Sequence, residues 1–203
     1  TAAIVFDSLK AGQITLDDTF LVSEKAWRKG GSKMFVEAGK QIKVEDLLRG
    51  VIVQSGNDAT IVLAEGLSGS ESAFASQMTA KALEIGMENS NFINASGWPD
   101  PKHYSTALAL ALMTKRMIED FPEYYSLFSE KEFTYSNIKQ QNRNPLLYRN
   151  IGADGLKTGH TEVGGYGLIG TAVTNGRRVI VVLNGLESEK SRADESVRLI
   201  EWG

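Results

Sequence analysis

Apolar residues in the first two thirds of the chain recur at helical spacing. In the stretch VEDLLRGVIVQSGN, Val44, Leu47, Leu48, Val51 and Ile52 share one face. This predicts an amphipathic helix halted at Ser55-Gly56-Asn57. A second helix starts there, with Asn57 or Asp58 as its cap, and runs through Ile61, Leu63 and Ala64. Ser70 caps a third helix carrying Phe74, Met78, Ala82 and Ile85. Ser105 caps a fourth, STALALALMTKRMIEDF, which Pro122 ends. The Ala-Leu alternation there mimics a strand, but length and capping favour a helix. The opening TAAIVFDSLKAG reads as the end of a helix stopped at Gly12.

Beyond about Lys131 the period shortens. KEFTYSN predicts a short strand. GYGLIGTAVTNGRRVIVVLNG predicts two strands joined by Asn175-Gly176, the strongest short hairpin signal. EKSRADESVRLIEWG predicts a closing helix, with Val197, Ile200 and Glu201 at helical offsets. Helices, then an antiparallel sheet, then a helix point to an α+β fold rather than a repeated βαβ chain, which argues against a Rossmann-type cofactor fold. The expected organisation is one domain over 1–203, with a helical lobe over roughly 13–130 and a sheet part over roughly 131–203.

Composition narrows the function. Of 203 residues, 42% are apolar and 23% charged, which is ordinary for a globular chain. A formal charge of -3 argues against nucleic-acid binding. The absence of Cys excludes disulfides, thiol catalysis and Cys-ligated zinc. No apolar run approaches the ~18 residues of a membrane span.

Two short motifs carry candidate chemistry. In QSGND, Ser55 sits where one helix stops and the next begins. Such a turn is ordinary interhelical punctuation, but it also holds a hydroxyl and an amide on a tight loop. Gly56 lets the loop bend, and Asn57 can hydrogen-bond a substrate amide. In DGLKTGHT, Lys157-Thr158-Gly159 opens a β-run. The bare Gly159 admits a ligand backbone to the strand, and an ammonium beside a hydroxyl suits a carboxylate or the charge that develops in acyl transfer.

Together these residues resemble the penicillin-binding protein and serine β-lactamase superfamily, whose pattern is S-x-x-K, Ser-x-Asn and Lys-Thr-Gly. The wider stretches GGSKMFVEAGKQIKVEDLLRGVIVQSGNDA, NFINASGWPDPKHYST, QNRNPLL, ADGLKTGHT and ESVRLIEWG are similar to the low-molecular-mass D-alanyl-D-alanine carboxypeptidases. The resemblance covers nearly the whole chain. It implies the β-lactamase/DD-peptidase-like fold, an antiparallel sheet covered by helices beside a mainly helical lobe. It also implies a serine peptidase that removes the terminal D-alanine from peptidoglycan stem peptides and binds β-lactams, with no metal or organic cofactor.

By that resemblance Ser55 relays a proton to the leaving amine and Asn57 positions the peptide. Lys157 supplies a positive field, Thr158 binds the terminal carboxylate, Gly159 lets the substrate backbone approach, and the main-chain N–H of His160 forms half of an oxyanion hole. Arg192 and Arg143 occupy positions where the family carries arginines near the substrate carboxylate. His103 reads as a loop residue. The one S-x-x-K here, Ser136–Lys139, falls after Ser55 and in a strand-and-turn stretch, where a one-helical-turn spacing has no meaning. It is a decoy. Thr1–Leu9 resembles the segment that follows the family's S-x-x-K, so the nucleophilic Ser and its Lys are expected upstream of this chain, and a β domain and membrane-anchoring tail beyond its end. The expected location is the periplasm or extracytoplasmic face, with membrane association only through segments outside the chain. Ser96 stands where some members carry His.

Other readings are a DD-endopeptidase or serine β-lactamase of the same fold, or a non-catalytic peptidoglycan-binding module. Class A β-lactamases need a loop glutamate between the two motifs. Glu119, Glu123 and Glu130 lie in the interval, but none sits in a matching motif.

Overall fold

A computed structural model describes residues 1–203. The chain resolves into two compact units that interleave along the sequence. One holds Thr1–Glu84, Asn91–Tyr104 and Glu130–Asn142; the other holds Ile85–Ser90, Ser105–Ser129 and Arg143–Gly203. The expected lobe boundary near residue 130 is therefore corrected. Residues 105–129 group with the sheet, and 130–142 with the helices.

The first unit is built on α1 (Ala2–Lys10), α2 (Glu24–Arg28), α3 (Val44–Ile52), α4 (Asn57–Ser68) and α5 (Glu71–Glu84). A small antiparallel pair, β1 (Thr19–Leu21) and β2 (Gln41–Lys43), precedes α3. In α3, Val44, Leu47, Leu48 and Ile52 are buried, as the spacing predicts. Each such side chain contributes about 1.5–3 kcal/mol. Helix α4 is buried all round, from Asp58 through Ala64. A Cβ on its Gly66 would stand 2.3 Å from the Phe20 ring, so β1 packs directly on its backbone. Ile4 of α1, Ala64 of α4 and Phe74 of α5 share one apolar cluster with Ala95. The unit closes with the hairpin β3 (Glu132–Tyr135) and β4 (Ile138–Gln141). Its two turn residues, Ser136 and Asn137, both take positive φ, at 47° and 62°.

The second unit is a three-stranded antiparallel sheet in the order β5 (Ala153–Thr161), β6 (Gly165–Thr174), β7 (Arg177–Leu186). Asn175-Gly176 makes the expected hairpin, with Thr174 paired to Arg177. Helix α8 (Glu189–Trp202) lies on β6 and β7. Its Ile200 joins Leu146, Leu168, Ala172 and Val181 in the core, with Val197 beside them, while Glu201 faces solvent. Helix α6 (Ala107–Asp120) also packs against the sheet. It ends before Pro122, which opens the short α7 (Pro122–Tyr125).

Two helix caps differ from expectation. The cap of α4 is Gly56, not Asn57 or Asp58, because both of those side chains are engaged elsewhere. Thr106 caps α6 through the N–H of Ala109, while the hydroxyl of Ser105 pairs with that of Ser90 at 2.8 Å. Ser70 does cap α5, accepting from the N–H of Ala73.

Candidate active site

The two motifs lie on different units. On the first, α3 ends at Ile52 and the turn Gln54-Ser55-Gly56 leads into α4. The Gly56 N–H closes the turn onto the carbonyl of Gly50 at 2.9 Å. Ser55 takes φ 58°, a left-handed conformation that costs a non-glycine residue of order 1–3 kcal/mol and persists only where its surroundings over-determine it.

Those surroundings are explicit. The main-chain N–H of Asn57 donates to the Ser32 carbonyl at 2.9 Å, and its side-chain amide donates to the Gly30 carbonyl at 3.0 Å. The carboxylate of Asp58, fully buried, accepts from the N–H groups of Met34 (2.8 Å), Phe35 (2.9 Å), Val36 (3.2 Å) and Ala59 (2.9 Å). Three of these charge-assisted bonds, from Met34, Phe35 and Val36, hold the loop against the start of α4. A Cβ on Gly56 would stand 2.8 Å from Asp58 Oδ1 and 2.9 Å from the Met34 nitrogen, so nothing larger than glycine fits between Ser55 and Asn57. Gln54 adds a tie to the Phe133 carbonyl, and Gln140 one to the Lys33 carbonyl. The sequence reading missed Asp58 as anything more than a cap. Its one signal was an acid inside a run that is otherwise apolar.

Ser136 and Lys139 lie on the β3–β4 hairpin. Lys139 pairs with Glu132 at 2.7 Å and sits opposite Thr134. The S-x-x-K spacing here is a hairpin accident. His103 is a structural loop residue: its Nδ1 accepts from the Ile93 N–H at 3.2 Å and its ring meets Phe92 edge-on.

On the second unit, Lys157-Thr158-Gly159-His160 runs along β5. Lys157 Nζ donates to the Thr158 carbonyl at 2.9 Å. Burial first, then the fields of Arg143 and Arg192, bring its ammonium down to a pKa of about 7. Thr158 is buried, whereas Gly159 and His160 are exposed. A Cβ added at Gly159 would meet nothing within 4 Å, so open space lies in front of the strand there. The His160 ring lies 4.0 Å from that of Tyr166, its partner in register on β6.

Arg192 is fixed by the start of α8. Ser188 and Ser191 cap that helix reciprocally, and the Arg192 N–H bonds the Ser188 carbonyl. Only 5% of Arg192 is exposed; its guanidinium carbon lies 5.5 Å from the Tyr166 ring centre and its Nε has no acceptor. Burial lowers its pKa, partly offset by Glu189 and Tyr166. Arg143 is exposed, just before Asn144, whose side chain accepts from the Leu146 N–H. The second unit thus gathers Lys157, Arg143 and Arg192 around the middle of β5, a strand that opens at Ala153 and not, as expected, at Lys157, in a field that favours an anion. An open concavity of about 510 Å³ continues from His160 along the β5–β6 turn to Glu187.

The three glutamates between the motifs lie elsewhere. Glu119 is near Lys115, Glu123 is exposed on α7, and Glu130 binds Arg49 at 2.9 Å. No cluster of metal-ligating side chains is present.

A strained Ser-Gly-Asn turn on a helical unit and a Lys-Thr-Gly strand on an antiparallel sheet define the penicillin-binding class of folds. The chain belongs to the D-alanyl-D-alanine carboxypeptidase family, whose model matches residues 1–187. It is 43% identical over its full length to the D-alanyl-D-alanine carboxypeptidase DacA of Haemophilus influenzae, of which it covers 53%. Penicillin-binding protein 5 of the same organism superposes with a TM-score of 0.96 over 99% of this chain and 60% of that one, at 43% identity. Penicillin-binding protein D2 of Listeria monocytogenes, solved with ampicillin bound, gives a TM-score of 0.88 at 28% identity, over 98% of this chain and 82% of that one. The chain spans about half the length of the curated relatives it matches.

Proposed function

We propose that this chain is the penicillin-binding part of a serine-type D-Ala-D-Ala carboxypeptidase, which releases the terminal D-alanine of peptidoglycan stem peptides. The observation that carries the reading is the cationic group at the middle of β5. There Arg192 is nearly enclosed with an unused Nε donor, beside Lys157, Arg143 and the open backbone of Gly159. A C-terminal carboxylate is the ligand such a group is suited to receive.

In this reading the nucleophile and its base, a Ser and a Lys one helical turn apart, come from sequence outside residues 1–203, since Ser136 and Lys139 occupy a hairpin. The serine oxygen attacks the carbonyl between the two D-alanines, and its proton passes to the neutral lysine amine. The backbone N–H of His160 binds the developing oxyanion. Ser55, held with its hydroxyl on a strained turn, relays that proton: it gives its own to the departing nitrogen as the C–N bond breaks and takes the one held by the lysine, which returns to the neutral amine. Water then cleaves the resulting ester and restores the serine. Asn57 holds the peptide amide, and Thr158 with Arg192 holds the terminal carboxylate. β-Lactams acylate the same serine. The substrate puts the enzyme at the extracytoplasmic face of a bacterial envelope. No helix of the chain is long and apolar enough to cross a membrane.

The test is covalent labelling of the full-length protein with fluorescent penicillin, read after denaturing electrophoresis, together with release of D-alanine from an N-acyl-D-alanyl-D-alanine peptide. Both are expected, and labelling persists in Ser136→Ala. A full-length protein that does neither overturns the reading, and loss of label in Ser136→Ala overturns the placement of the nucleophile.

A further inference from the structure

Beside Asn57 lies a group of side chains to which the proposed reaction gives no part. The loop residue Gly31 is wedged between Asn57 and one of them: a Cβ there would stand 2.6 Å from Asn57 Nδ2 and 3.0 Å from Trp98 Cζ3. Trp98 is held by a built turn. Asn94 Oδ1 accepts from the N–H groups of Gly97 (2.8 Å) and Trp98 (2.9 Å), and Asn94 Nδ2 returns a bond to the Trp98 carbonyl at 2.8 Å. Although fixed in this way, the indole is 44% exposed. Lys29 Nζ sits over its ring, 3.8 Å from the centroid.

Lys29 differs from the cations around it. Lys25 is paired with Glu71 at 2.8 Å, Arg28 with Glu24 at 3.0 Å, and Lys33 donates to the Trp27 carbonyl at 2.7 Å. Lys29 has no carboxylate within ion-pair distance. Its partner is the aromatic face, and burial lowers its pKa, offset in part by the more distant Glu71. A half-buried ammonium on an indole, with no anion, is an incomplete charge pair. The ammonium also occupies a ring face on which a sugar would stack, so an anion fits better than a glycan.

We propose that Lys29 and Trp98 form an accessory subsite for a carboxylate-bearing residue of the peptide, on the amino-terminal side of the bond to be cleaved. This rests on the function proposed above, where Asn57 holds the peptide backbone and the carboxyl end belongs to β5. A peptide held by Asn57 lies beside the Gly30-Gly31 backbone, against which Trp98 stands with Lys29 over its ring. The subsite selects substrates by charge.

The experiment compares two peptides with the full-length enzyme. Both end in D-alanyl-D-alanine; one carries a side-chain carboxylate two residues ahead of the scissile bond, and the other its isosteric carboxamide. The expected kcat/KM ratio of acid to amide is about five-fold at low ionic strength, shrinking as salt screens the pair. In Lys29→Met the ratio falls to about one, in Lys29→Arg it persists, and in Trp98→Ala it drops as the ammonium loses its seat. An unchanged ratio in Lys29→Met overturns the proposal. If the wild type hydrolyses neither peptide, the function proposed above fails instead. Calorimetric binding of the acid peptide then decides the subsite: about five-fold weaker binding to Lys29→Met sustains it, and equal binding overturns it.

Discussion

The Ser-Gly-Asn turn and the Lys-Thr-Gly strand prepare their groups in opposite ways. At the turn, polar groups are tied off: Asp58 takes four backbone N–H groups, and Asn57 bonds the loop from both its main chain and its side chain. At the strand, charges of one sign are gathered and the space before Gly159 stays open. A residue that must hold a hydroxyl at one angle is built by hydrogen bonds. In the proposed function, the carboxylate is drawn by cations placed within one another's fields. The first device costs conformational strain at Ser55, and the second costs electrostatic repulsion. Substitutions at Asp58, which anchors the turn, should therefore act on stability, and substitutions at Ser55 or along the strand on binding or rate.

The largest effect expected is on stability. Asp58→Ala strips the acceptor from buried N–H groups of the 34–36 loop and should lower unfolding free energy by about 3–5 kcal/mol. Denaturant unfolding measures it; a loss under 1 kcal/mol would mean that the loop is held by something else. Next is Ser55→Ala, which removes the proposed proton relay and should lower D-alanine release roughly 10²–10⁴-fold with little change in stability. Ser136→Ala should stay within a few-fold of wild type. The reverse ranking would reassign both serines. Smaller again is Arg192→Ala. Loss of one charged contact to the carboxylate should raise KM about ten-fold, with a lesser change in kcat. A change in kcat alone would detach Arg192 from the carboxylate.

Much of this was legible in the sequence wherever the cause is local. The face of α3, the Asn175-Gly176 hairpin and the strand nature of Ser136–Lys139 follow from spacing and turn chemistry. What was hidden was set by distant partners. Asp58 looks like a helix cap until Met34, Phe35 and Val36 claim its carboxylate. Ser105 looks like a cap until Ser90 takes its hydroxyl. Helix α6 reads as part of a helical lobe, because no local signal reveals that it packs on β7. The two motifs stand out in the sequence through their resemblance to a family pattern, not through any local physical signal. The depressed Lys157 ammonium and the pinning of the Ser55 turn could come only from the fold.

The central claim is that Lys157 acts through its charge. Its pKa of about 7 means that the free site loses this cation as pH rises through neutrality. Because kcat/KM reports the free enzyme, the wild type should decline by up to ten-fold per pH unit above about 7. A bound carboxylate holds the proton, so the corresponding limb of kcat should lie at higher pH. Lys157→Arg keeps a charge that does not titrate, so it should retain part of the rate and lose the decline. Lys157→Gln should be slowed about 100-fold at pH 7 and show no such limb. The measurement is kcat/KM for D-alanine release across pH 5–10 in full-length wild type, Gln and Arg forms. A Gln form that matches wild type at every pH, or an alkaline limb that survives in the Arg form, contradicts the account.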